Sequence, residues 1–131
     1  PYNLAAGTKE ETAQLYSHRD SGRFWYKDYT PASSLMSSKP NVDVTLSDTV
    51  KVIDAARFLL DLPSVDLLKI DIEGYETELV PHLVREGALD HVKLLAIETH
   101  EKKWPELERP TRSMLESLET LQDVVVRTDW I

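Results

Sequence analysis

Two near-continuous apolar runs, "VDLLKID" from Val65 and "HVKLLAIETH" from His91 to His100, constrain the fold of this chain more than any other feature. Half-buried strands alternate apolar and polar residues, whereas runs of this kind fit strands buried on both faces of a parallel sheet. Between them Tyr75, Leu79, Val80, Leu83 and Val84 recur at helical spacing, and Gly87 closes the predicted helix. Pro81 interrupts that pattern, so either the helix kinks there or its regular part starts near Val80.

The same alternation extends to both sides. "PYNLAAG" is a short apolar segment ended by Gly7, and "TAQLYSH" from Thr12 predicts a second strand. "VDVTL", Val42 to Leu46, alternates as a half-buried strand should, and Ser47 or Asp48 is placed to cap a helix starting near Thr49. That helix would carry Val52, Ile53, Ala56, Leu59 and Leu60 and stop before Pro63. Thr111, after Pro110, is placed to cap a last helix with Met114, Leu115, Leu118 and Leu121, and "DVVVRTDWI" reads as a closing strand. Strand, helix, strand, helix, strand is the order of an open α/β sheet with helices on both faces.

The 131 residues fit one domain, and a hydrophobic content of 41% can build its core. Residues 17–40, rich in Ser, aromatic and turn-forming residues, read as a long loop or insertion. Within it "RFWYKDY" is either an aromatic anchor or a lid over a substrate. The net charge of -8 repels phosphate backbones and argues against nucleic-acid and anionic-membrane partners. The insertion, with Arg19, Arg23, Lys27 and Lys39 against Asp20 and Asp28, is the exception. No cysteine is present, so disulfides and thiolate metal sites are excluded. Nothing resembles a signal peptide or a membrane-spanning run of ~20 apolar residues, and a cytoplasmic location is the expectation. Nothing fixes the oligomeric state.

Ligands of open α/β sheets bind beyond the carboxyl ends of the strands. Both apolar runs end there in polar groups. Side chains alternate along a strand, so Lys69, Asp71 and Glu73 point one way, and Glu98 and His100 share a face. If the two strands are neighbours, these five side chains line one rim. Simpler readings exist for each: Glu73 and Glu76 as a solvated helix entrance, Asp71 as a helix cap, and His18, His82 and His91 as surface residues. "EKKWPELERP", Glu101 to Pro110, reads as a solvated loop whose Trp104 packs down, or, since it follows the rim directly, as a border of the ligand pocket.

"VDLLKIDIEGYETELV", followed some twenty residues on by "LLAIETH", resembles the signature of the FkbM-type methyltransferases. "YNLAAGT", "ASSL" and "VTLSDTV" are similar to further segments of that family in the correct order. The resemblance implies a Rossmann-like methyltransferase sheet with flanking helices, S-adenosylmethionine as cofactor, and a small-molecule or glycan hydroxyl as acceptor. Family members hold the cofactor largely through a Gly-rich loop, whereas Gly7, Gly22, Gly74 and Gly87 include no G-x-G pair. The chain therefore reads as the C-terminal part of such a domain, truncated before the cofactor loop. A non-catalytic methyltransferase-like binding or scaffolding module is the alternative.

Methyl transfer to a hydroxyl needs alignment of two reactants and a group that takes the hydroxyl proton. His100, with an unperturbed pKa of ~6.5, and Asp71 are the candidate bases. Lys69 can pair with Asp71 or Glu98 and hold them ionised. Asp71 and Glu73 are the candidate cofactor carboxylates. Asp71, Glu73 and Glu98 would suit a hard ion such as Mg²⁺, as in some related O-methyltransferases. A carboxylate-metal nuclease or phosphoryl-transfer domain fits less well, because no phosphate loop or basic groove accompanies the acids.

Overall fold

A computed structural model describes residues 4–21 and 33–128. The "RFWYKDY" segment and the last three residues of "DVVVRTDWI" lie outside the described residues. The C-terminal half follows the predicted alternation. β4 (Val65–Ile70), α2 (Glu76–Arg85), β5 (Val92–Ile97), α3 (Glu108–Leu118) and β6 (Val125–Arg127) form a three-stranded parallel sheet, ordered β4-β5-β6, with its connecting helices. The core gathers on β5, where Val92, Leu95 and Ile97 are buried against Leu79, Val80 and Leu83 of α2 and Met114 and Leu118 of α3. Fully burying each such side chain contributes roughly 1.5–3 kcal/mol.

The N-terminal half departs from the expectation of one open sheet. Short β1 (Ala5–Gly7) and long β2 (Glu11–His18) flank β3 (Val42–Asp54) in a second three-stranded sheet, β1 parallel and β2 antiparallel to it. β3 runs eight residues beyond the predicted end, through "SDTVKVID". Its β-branched Thr49, Val50, Val52 and Ile53 favour a pleated strand, and β2 pairs along it from Glu11 opposite Val52 to Tyr16 opposite Ser47. Helix α1 (Ala55–Leu60) is consequently short, and its cap is Asp54 rather than Ser47 or Asp48. Asp54 Oδ1 accepts from the backbone N–H of Ala56 at 3.0 Å and Arg57 at 3.4 Å.

Three further expectations are corrected. β4 is an edge strand, so its outward Leu67 is 57% exposed and only β5 has the buried character predicted for both. Helix α2 starts at Glu76 with Pro81 inside it, so its regular part does not begin near Val80, and Gly87 closes it as predicted. The Gly87 N–H donates to the Val84 carbonyl and the Ala88 N–H to the Leu83 carbonyl, a Schellman arrangement that Gly87 allows with φ of 67°. Helix α3 begins at Glu108, after a 3₁₀ turn over Pro105–Leu107, and Thr111 is a buried residue within it, not its cap. Pro110 falls in the first turn, where a backbone N–H has no helical partner to lose. Leu121 lies past the helix end. No helix among the described residues is long and apolar enough to cross a membrane.

Candidate functional site

Pairing of β4 with β5 brings together the two polar strand ends. Ile70 lies opposite Ile97, and the Glu98 N–H donates to the Ile70 carbonyl at 2.9 Å, carrying the pairing one residue past the strands. The chains then part. After β4 the backbone turns sharply, with φ of 58° at Glu73 and 105° at Gly74. Glu73 is thus aimed by a left-handed turn rather than by strand alternation, a conformation costing a non-glycine residue about 1–3 kcal/mol. A Cβ on Gly74 would lie 3.2 Å from Leu107 Cδ1, so the turn is tucked against the 3₁₀ segment.

His100 is the centre of the cluster, and its side chain is fully buried. Nδ1 donates to Glu76 Oε1 at 2.9 Å, and Glu76, buried equally, accepts the Gly74 N–H on Oε2 at 2.7 Å. Nε2 has no hydrogen-bond partner. It faces three carboxylates, Glu73 Oε2 at 3.7 Å, Glu98 Oε1 at 3.8 Å and Asp71 Oδ1 at 4.0 Å. Trp104 stacks on the ring at 5.3 Å between centroids. Burial pulls the His100 imidazole toward the neutral form, but the carboxylates of Glu76 and Glu73 outweigh it and raise its pKa above the ordinary histidine value.

Basic residues surround the acids. Lys39, almost completely buried, donates to Glu73 Oε2 at 2.8 Å and lies 4.7 Å from the Trp104 ring centroid. Its pKa is lowered because burial disfavours the ammonium more than Glu73 supports it. Lys69 donates to Asp71 Oδ2 at 3.2 Å, and Lys103 lies 3.4 Å from Glu98.

All five predicted site residues, Lys69, Asp71, Glu73, Glu98 and His100, therefore meet at one end of the β4-β5 pair. Asp71 alone among them also lines a cleft of about 400 Å³ walled by β1, β3 and residues 33–35, with Tyr75 and Ser34 on its surface. Sequence reasoning missed Glu76 and Lys39. Glu76 is not a solvated helix entrance; it shares the buried stripe of α2 with Leu79, Val80 and Leu83, and that i, i+3, i+4, i+7 spacing was the available signal. Lys39 carried none, because its burial follows from how residues 36–40 fold over Trp104. His82 is not a surface residue either. Its Nε2–H donates to Asp54 Oδ1 at 2.8 Å while Nδ1 accepts from Arg85 at 3.0 Å, tying α2 to the start of α1. His91 Nε2 donates to the Leu59 carbonyl at 2.8 Å.

The family model of the methyltransferase FkbM domain matches residues 1–124. No curated protein and no solved structure matches the chain.

Proposed function

Because the chain belongs to the methyltransferase FkbM domain family, we propose that it is the acceptor-facing part of an S-adenosylmethionine-dependent methyltransferase acting on a small-molecule or glycan hydroxyl. In this reading the two sheets are parts of a Rossmann-like domain whose cofactor loop is supplied from outside these 131 residues. S-adenosylmethionine provides a methyl group made electrophilic by its sulfonium. The residues described fit only the acceptor side of that reaction. None of the four glycines forms a G-x-G turn for close backbone approach to the cofactor, and Glu73 is already engaged by Lys39.

The observation that carries the reading is the position of Asp71. Its carboxylate opens onto the cleft, whose walls include Leu4, Leu15, Val50 and Ile72, and is held from behind by Lys69. A hydroxyl bound in that cleft passes its proton to an Asp71 oxygen as it becomes nucleophilic. Lys69 orients Asp71. His100, closed off from the cleft by its own burial, does not meet the acceptor, and the charge of its neighbourhood acts on Asp71 from 4.0 Å. The absence of a G-x-G loop also favours a second reading, a non-catalytic methyltransferase-like binding module.

Calorimetry with S-adenosylmethionine on this chain and on the full-length gene product separates the two. Binding by the full-length product supports the enzyme; binding by neither overturns it in favour of the module.

A further inference from the structure

We propose that His100, Asp71, Glu73 and Glu98 form a binding site for a first-row divalent transition-metal ion, with His100 Nε2 as the nitrogen ligand. The proposal does not depend on methyl transfer. Ligand oxygens and nitrogens of Asp71, Glu73 and His100 all lie within 4.8 Å of one another, but acidic clusters are common on proteins. The decisive feature is the imidazole. Nε2 is fully buried, has no hydrogen-bond partner, and faces three carboxylates 3.7–4.0 Å away. A cation placed beside Nε2 among these carboxylates gives the buried nitrogen the partner it lacks.

The spacing suits such an ion. With metal–ligand bonds of about 2.1 Å in a tetrahedral arrangement, neighbouring donor atoms stand roughly 3.4 Å apart. The three imidazole–carboxylate separations, 3.7–4.0 Å, stand close to that value. Orientation is already provided. Metal-ligating histidines characteristically donate their other N–H to a carboxylate or carbonyl, which fixes ring and tautomer. Here Nδ1 donates to Glu76 Oε1, and Glu76 is held in turn by the Gly74 N–H. Glu73 has equivalent support from Lys39.

Charge favours a cation as well. The carboxylates of Asp71, Glu73, Glu76 and Glu98 outnumber the Lys39, Lys69 and Lys103 ammoniums around them, so a divalent ion meets an excess of negative charge. Asp71 is the most exposed of the ligands, with about a third of its side chain open, so entry is from the cleft side. An imidazole among carboxylates points to Mn²⁺ or Zn²⁺ rather than to Mg²⁺, which prefers all-oxygen shells.

The test uses Mn²⁺ as probe on the chelator-stripped chain. Loss of the free-ion electron paramagnetic resonance signal should show one ion bound per chain, and electron spin-echo modulation should show coupling to an imidazole nitrogen. The coupling should vanish in His100→Gln, and Glu76→Gln should weaken binding about 10–100-fold. Should His100→Gln fail to fold by circular dichroism, Asp71→Asn/Glu98→Gln, at partly exposed positions, carries the test and should lose at least tenfold in affinity. Absence of stoichiometric binding, an unchanged affinity in that double variant, or Mg²⁺ displacing Mn²⁺ at equal concentration would overturn the assignment.

Discussion

Glu76 and His100 hold each other 2.9 Å apart with neither side chain exposed to solvent, although 24 residues separate them in the chain. The His100 ring has no other hydrogen bond to compensate for the loss of water, and the Glu76 carboxylate has only one more, from the Gly74 N–H. Removing one partner of such a pair leaves an uncompensated polar or charged group in the interior, which costs about 3–5 kcal/mol. Glu76→Ala also orphans the Gly74 N–H. We expect it to destabilise the domain by at least about 3 kcal/mol in urea denaturation. Glu76→Gln, which can still accept from one donor, should cost less, and a double-mutant cycle with His100→Gln should show coupling above about 1 kcal/mol.

Gly74→Ala should destabilise independently of that pair. A side chain at φ of 105° is strained, and the added Cβ presses on Leu107 at 3.2 Å. A loss of about 1–3 kcal/mol is expected, read as a lowered urea midpoint with an unchanged slope.

Asp54 gives the acid limb of the stability profile. Burial opposes its ionisation, but the hydrogen bond from His82 and those from the Ala56 and Arg57 backbone prevail and hold its pKa below the ordinary aspartate value. A carboxyl with a depressed folded pKa contributes stability above its unfolded value of ~3.9, and loses it as pH falls through the folded value. Asp54→Asn should flatten the fall in stability below about pH 4. Asp54→Ala should cost about 1 kcal/mol at neutral pH through the lost cap.

Leu67 and Leu95 belong to sequence runs of similar character, yet Leu67 is 57% exposed on the edge strand and Leu95 is fully buried on the central one. Leu67→Lys should change stability by no more than about 0.5 kcal/mol, and charge on an open edge discourages pairing with other chains. Leu95→Ala should cost about 2–5 kcal/mol. Thermal denaturation of the two variants distinguishes them directly.

On the proposed methyltransferase reading, Asp71→Asn should lower methyl transfer by about 10²–10⁴-fold while circular dichroism stays unchanged, the range expected when a proton-accepting group is removed. Full activity in that variant would move the proton-accepting role away from Asp71.

Much of this site was legible because strand ends are written locally. An apolar run followed by charge marks where a parallel strand leaves the core, and two such runs separated by one helical pattern become neighbours. Asp71, Glu98 and His100 followed from that logic. Glu73 reached the same place by a different route, a left-handed turn that alternation does not encode. The extra length of β3 was hidden because Val52, Ile53, Ala56 and Leu60 also satisfy a helical spacing, and pairing with β2 settled the competition. Whether a carboxylate such as Glu76 is solvated or sealed depends on His100 and the Gly74 turn, which reach it only when the chain is folded.

The shared carboxylate of Glu76 has a consequence for inheritance and engineering. Through Gly74 it fixes the turn after β4, and through His100 it fixes the exit of β5. Residues 73–76 and 98–104 therefore behave as a single cassette. A loop transplanted from a relative at one location without its counterpart would strand a sealed acid or base, so exchange of either segment by recombination should give a folded product only when both pieces travel together.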